Sequence, residues 1–152
     1  MKIKMHFLKP DPGTYALILE NRSTARIQIG RRREMVLMPG YFIYVGSAFG
    51  PGGLRARVLR HCRKAKSRHW HIDYLREFAA PVEVWYSFEP EHLECHWAQA
   101  LLDMEGMHPV KGFGCTDCKC YSHLFRSSAF PEFSRLFNTI GGNVLYKALT
   151  TA

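Results

Sequence analysis

No apolar run in this 152-residue chain approaches the roughly 20 residues of a membrane span, so a helical membrane protein is not expected. The start, Met1-Lys2-Ile3-Lys4-Met5-His6, lacks the apolar stretch and small-residue site of a secretion signal, and an intracellular, cytoplasmic protein is the expectation. Cysteine is scarce and odd in number, five in all, which argues against a disulfide framework. Internal repeats, low-complexity tracts and a convincing linker are also missing, so one domain over residues 1–152 is expected. The most telling absence is local. Aspartate and glutamate do not occur from Leu54 through Ile72, while seven Lys or Arg residues fall between Arg55 and Arg68.

A solvated helix face normally mixes its charges. A segment of one sign raises the local positive potential and attracts polyanions. The overall net charge of +8 agrees in sign, and Arg31-Arg32-Arg33 forms a second basic cluster. A basic surface without a ligand is the plain alternative. Hydrophobic residues make up 47% and aromatics 13%, enough for a folded domain with a real core rather than a disordered tail.

The pattern along the chain mixes strands and helices. Gly13 to Leu19 is rich in strand formers after Pro10, Pro12 and Gly13, and Arg26-Ile27-Gln28-Ile29 and Glu34-Met35-Val36-Leu37 can pair across Gly30-Arg31-Arg32-Arg33. Tyr41-Phe42-Ile43-Tyr44-Val45 is apolar on both faces and reads as a central strand. The glycine-rich stretch Ala48 to Gly53 must be a loop. Leu54, Val58 and Leu59 then recur at helical spacing. Trp70 to Phe78 reads as a second helix, Pro81 to Tyr86 as a strand, and a third helix follows Pro90 to about Leu102. This is an α+β order with a small antiparallel sheet flanked by helices.

Chemistry-bearing residues sit on these elements at suggestive spacing. Tyr15 follows Gly13-Thr14, Tyr44 precedes Val45-Gly46, and Arg57 and His61 lie four residues apart on one face of the next helix. Arginine stays charged and grips two phosphate oxygens at once, so it suits a phosphoryl transition state. A phenol of ordinary pKa near 10 is a poor base unaided but can pass or position a proton.

Gly13-Thr14-Tyr15-Ala16-Leu17, Gly40 to Ala48, Arg68 to Leu75 and Cys118 to Phe125 together resemble the GIY-YIG nuclease superfamily, and within it the Uri-type endonucleases, once a domain of unknown function. The resemblance covers essentially the whole chain. It implies a core over about 12–103, with Arg26 to Leu37 as an added hairpin and a C-terminal extension over 104–152. It further implies that Tyr15, Tyr44, Arg57, His61 and His69 are catalytic, with Tyr15 or Tyr44 activating water. Family members take a glutamate for Mg²⁺ or Mn²⁺ from the helix after the third strand; Glu94 fits that register better than Glu91. Ser47, Arg55, Arg60, Arg63, Lys64, Lys66 and Arg68 would contact nucleic acid, while His71 reads as a packing or capping residue. The chain departs from the textual motif at Thr14 and Val45.

The implied activity is metal-dependent hydrolysis of DNA phosphodiester bonds, in repair, recombination or processing. The alternatives are a nucleic-acid-binding module without turnover and a zinc-stabilised RNA-processing factor. For the cluster Cys115, Cys118, Cys120 and His123, metal-free buried cysteines are preferred over a structural zinc site, although the Cys-x-x-Cys spacing is a common zinc pattern.

If the Arg55 to Arg68 segment makes about four phosphate contacts, log K for DNA should fall against log salt with a slope near −4. Neutralising Arg63, Lys64 and Lys66 together should flatten that slope in a fluorescence-anisotropy titration. Salt-independent binding would reduce the segment to a solvated surface.

Overall fold

The computed structural model describes residues 5–29, 33–63, 71–114 and 119–149. Their fold is α+β. It is organised around strand β1 (Gly13–Asn21), which pairs antiparallel with β4 (Gly40–Ala48) on one side and β5 (Ala80–Ser87) on the other. Two further strands, β7 (Leu124–Ser127) and β8 (Leu145–Ala148), extend the sheet beyond β4 and β5, and the two-residue β6 (His108–Pro109) adds to β7. The resulting order is β6-β7-β4-β1-β5-β8. The segment expected as an added hairpin forms a separate two-stranded ribbon, β2 (Ala25–Ile29) with β3 (Arg33–Leu37).

Side-chain alternation along β1 and β4 sorts the core into two layers. Tyr15, Leu17, Leu19 and Phe42 face a layer built from the hairpin, helix α1 (Gly53–Cys62) and helix α2 (His71–Leu75). Ala16, Ile18, Ile43 and Val45 face the opposite layer, with Trp85 of β5, Trp97 and Leu101 of helix α3 (Glu94–Leu102) and Leu136 of helix α4 (Phe133–Ile140). Because β1 and β4 are covered on both faces, their sequences are apolar at successive positions instead of strictly alternating. No helix among the described residues is long and apolar enough to cross a membrane.

Helix α1 begins where the glycine-rich loop turns. Gly52 and Gly53 both have positive φ, and a side chain at Gly53 would drive into the carbonyls of Pro10 and Asp11. The amide of Leu54 donates to Asp11 O at 2.9 Å, tying the helix start to the segment that leads into β1. Leu54 and Val58 are wholly buried, which is worth about 1.5–3 kcal/mol for each side chain.

Two arginines fasten α2 to α1. Arg60 makes a two-pronged ion pair with the buried carboxylate of Asp73, at 2.9 and 3.0 Å. Arg76, buried itself, donates to His61 O, Cys62 O and Ala79 O, so one guanidinium satisfies carbonyls at the end of α1 and in the turn between α2 and β5. Sequence reading had Phe78 inside the second helix and gave Arg76 no role. In the described residues α2 ends at Leu75, and Trp70 lies outside them.

The third helix starts later than Pro90 suggests. Leu93 O accepts the first helical bond, from the amide of Trp97 at 2.9 Å, so Glu94 opens the helix. Glu91 is exposed on the preceding loop, so of the two glutamates Glu94 is the one on the helix, and the expected helix start after Pro90 is corrected.

The Arg60–Asp73 pair is asymmetric: the Asp73 side chain is fully buried, whereas Arg60 keeps some access to water. Removing the arginine leaves a buried carboxylate without its guanidinium, which costs about 3 kcal/mol or more. Removing the aspartate leaves a cation that can turn towards solvent. Urea denaturation should therefore find Arg60→Ala clearly less stable than Asp73→Ala; equal losses would mean that the ion pair does not dominate this helix contact.

Candidate active site

The two glycines of the paired tripeptides are there for space. Tyr15 lies opposite Gly46 in the β1–β4 register, and a side chain at Gly46 would collide with the Tyr15 hydroxyl. At Gly13 a side chain would strike Ser87 O and Leu54 Cδ1. Glycine therefore lets the Tyr15 ring lie across β4 and lets β5 and α1 close on the start of β1. Tyr44, paired with Leu17, sits diagonally from Tyr15 on the same face, with ring centroids 6.4 Å apart.

Helix α1 delivers the rest. His61 is buried in its last turn, and its Nε2 lies 2.6 Å from the Tyr15 hydroxyl. The Tyr44 ring meets His61 edge-on at 5.7 Å, and Phe113 closes the far side of Tyr44 at 6.1 Å. One turn earlier, Arg57 donates to Ser47 O at 3.1 Å, pinning the helix to the end of β4. Ser47 is thus engaged through its backbone.

Burial pushes the Tyr15 phenol well above its ordinary value. Tyr44 adds to the rise, Arg57 opposes it by charge and by a side-chain hydrogen bond, and Glu94 adds a smaller rise. Tyr15 is consequently a protonated phenol at neutral pH. The Arg57 guanidinium lies beside it, and it donates to His61 when the imidazole presents its lone pair at Nε2.

Glu94 belongs to the opposite layer but to the same end of the sheet. The amide of Leu93 donates to Thr14 Oγ1 at 3.4 Å, so the residue beside Tyr15 anchors the start of α3. Thr14, one of the two departures from the textual motif, thereby helps to place Glu94. The Glu94 carboxylate is partly exposed and its Oε2 lies 3.8 Å from His123 Nδ1. A partly exposed carboxylate is the type of oxygen ligand that Mg²⁺ and Mn²⁺ favour.

The basic residues divide. Arg55 donates to Leu8 O at 2.6 Å and Arg60 is held by Asp73, so both serve the fold. Arg63 is exposed at the end of α1. Lys64, Lys66, Arg68 and His69 lie outside the described residues. His71 accepts from the amide of Gly114 at 3.0 Å, and burial followed by the charge of Arg33 lowers its pKa, so it is a packing residue held neutral.

The cysteine cluster gains a member from α3. Cys115 and Cys118 lie outside the described residues. Among the described residues, Cys120 and His123 converge with Cys95 on the exposed side of α3; the three ligand atoms lie within 4.8 Å of one another, and Cys95 and Cys120 stand as a disulfide pair, which corrects the expectation of reduced cysteines. This cluster could hold a metal ion. Sequence reading missed Cys95 because it is 25 residues from Cys120 and shares no motif spacing with it.

Raised phenol pKa has a consequence for stability. The unfolded Tyr15 loses its proton near pH 10, whereas the folded one keeps it. Above about pH 10 the unfolded state binds fewer protons, and stability falls until the folded phenol also ionises. Urea titrations between about pH 9 and 11 should show a shallower decline for Tyr15→Phe, with Tyr41 and Tyr86, raised as well, contributing to the slope that remains. An unchanged slope would mean that Tyr15 is not held protonated by the fold.

No curated protein and no solved structure matches the chain. One family does, over residues 14–144, a span that takes in both tyrosines, Arg57, His61, Glu94 and the Cys95/Cys120/His123 cluster. The chain belongs to the family described as domain of unknown function DUF123.

Proposed function

We propose that this protein is a metal-dependent endonuclease of the GIY-YIG type, in its Uri-type branch, that hydrolyses DNA phosphodiester bonds in repair, recombination or processing. The observation that carries the reading is the 2.6 Å bond between the Tyr15 hydroxyl and His61 Nε2, with Arg57 bonded to the same phenol. A phenol held above its ordinary pKa cannot serve as a standing phenolate. It can relay: Tyr15 takes a proton from the attacking water as its own proton passes to His61 Nε2, so no free phenolate accumulates.

Arg57 lies beside that relay with a permanent charge, suited to the negative charge that grows on phosphorus during in-line attack. Tyr44, half-buried against His61, steadies the imidazole and offers a second phenol to the substrate. Glu94 would hold Mg²⁺ or Mn²⁺, which when bound supplies a Lewis acid for the phosphate and leaving oxygen. The excess of Lys and Arg supports a polyanionic substrate. Backbone contacts of this kind give affinity without naming a base sequence.

The test is a panel of plain, nicked, branched and single-stranded DNA, with RNA controls, incubated with Mg²⁺, Mn²⁺ or EDTA. The expected result is metal-dependent cleavage leaving 5′-phosphate and 3′-hydroxyl ends. Arg57→Ala, Glu94→Ala and Tyr15→Phe should each lose about 10²-fold or more in rate. Binding without cleavage on every substrate would favour a binding module, and cleavage confined to RNA would favour an RNA-processing role. Loss of activity in Glu91→Ala with full activity in Glu94→Ala would move the metal ligand to the loop before α3.

A further inference from the structure

We infer that Cys95, Cys120 and His123 form a binding site for a soft transition-metal ion, Zn²⁺ by the chemistry of its donors, which clamps the first turn of α3 to the strand system. The three residues come from two separate parts of the chain: Cys95 is the second residue of α3, and Cys120 and His123 lie just before β7. Their ligand atoms lie within 4.8 Å of one another, close enough for one ion to be shared.

Burial does not explain this grouping. Cys95 is exposed and Cys120 only partly buried, so neither behaves as a small hydrophobe filling a core. The Cys95–Cys120 disulfide does not explain it either, since a disulfide needs no third donor. Once that bond is reduced, the two sulfurs are free to part to the spacing of two thiolates on one ion, and His123 supplies the nitrogen of a soft S₂N set.

The hydrogen bonding of His123 points the same way. Its Nδ1 lies 3.1 Å from Val45 O, and only a protonated nitrogen can bond to a carbonyl. The neutral ring then carries its lone pair on Nε2. A backbone carbonyl on the far nitrogen is the arrangement by which proteins fix the tautomer and orientation of metal-binding histidines. A cavity of about 270 Å³, lined by Cys95, Ala98, Gln99, Leu102, Cys120 and Phe125 among others, opens beside the sulfurs and gives an ion a way in. The three ligands leave one corner of a tetrahedron, which water or a further soft donor fills.

From the disulfide, a dithiol reductant first supplies two electrons and two protons and is itself oxidised to a disulfide; the two thiols then each lose a proton to solvent as Zn²⁺ takes two thiolates and one imidazole. The site adjoins Glu94, which precedes Cys95 in sequence and lies 3.8 Å from His123 Nδ1. A metal here would fix the carboxylate's position from the side opposite Thr14; that consequence rests on the nuclease reading, whereas the metal content does not.

The experiment uses the full chain, purified under reductant and without chelator, and measures zinc by elemental analysis. About one equivalent per chain is expected, released by a thiol-blocking reagent. Replacement by Co²⁺ should give the sulfur-to-metal charge-transfer absorption of a thiolate-bound tetrahedral ion. Cys95→Ser and Cys120→Ser should each remove most of the metal, and His123→Gln should weaken retention at least 10-fold. Glu94→Ala should keep its zinc whatever happens to cleavage, so failure of this site and failure of the nuclease reading are separately visible. The inference is overturned if reduced wild-type protein holds well under one equivalent after incubation with Zn²⁺ and shows no thiolate band with Co²⁺. It is likewise overturned if Cys95→Ser, folded by circular dichroism, retains full zinc.

Discussion

Everything in the site depends on burying β1 completely. Of its nine residues, Glu20 alone keeps moderate access to water, so the Tyr15 phenol must find its hydrogen bonds inside the protein. It finds them on α1, in His61 and Arg57, and this fixes both the depth and the rotation of that helix against the sheet. The glycines at 13, 46 and 53 follow from the same constraint, because each lies where a second backbone or the Tyr15 ring approaches too closely for a side chain. The paired tripeptides are thus a packing solution as much as a chemical one.

Positive charge is divided by the fold into two uses. The charge run after Leu54 resembles a uniform polyanion-binding face when written as a sequence. In three dimensions Arg60 neutralises buried Asp73, Arg55 caps Leu8 O, and Arg57 is drawn inward to Ser47 O and Tyr15. Arg76, outside the run, ties the end of α1 to the turn between α2 and β5. Guanidinium suits these tasks because its fan of donors satisfies several carbonyl or carboxylate oxygens at once. A count of basic residues therefore overstates the number available for phosphate, and an affinity carried by fewer contacts is correspondingly less steep in salt.

Residues after 103 bind the two helical layers into one unit. β7 pairs with β4 and β8 with β5, so both outer sides of the three-strand centre receive strands from this part of the chain. The turn before β7 also carries His123, whose bond to Val45 O and proximity to Glu94 connect the β4 end to the α3 start. The carboxylate on one side of the sheet and the Tyr15–His61 pair on the other are held to a common end by Thr14, Val45 and His123.

Local pattern was enough for the centre of the protein. Strand formers between turn residues marked β1 and β4, and the recurrence of Leu54 and Val58 marked α1. Helical spacing alone put Arg57 and His61 on one face of α1, because short-range periodicity is a property of the chain itself, whereas their meeting with Tyr15 and Tyr44 was what the family resemblance implied. Tertiary structure decided what depends on distant partners. Helix α3 starts at Glu94 rather than at Pro90, with Thr14, 79 residues away from Leu93, accepting the amide at its cap. Among the described residues Cys120 meets Cys95, 25 residues away, and β7 and β8 find sheet edges that no local periodicity announces. Hydrogen bonding and packing between remote segments chose those pairings, since a sequence window carries no record of which segments fold against it.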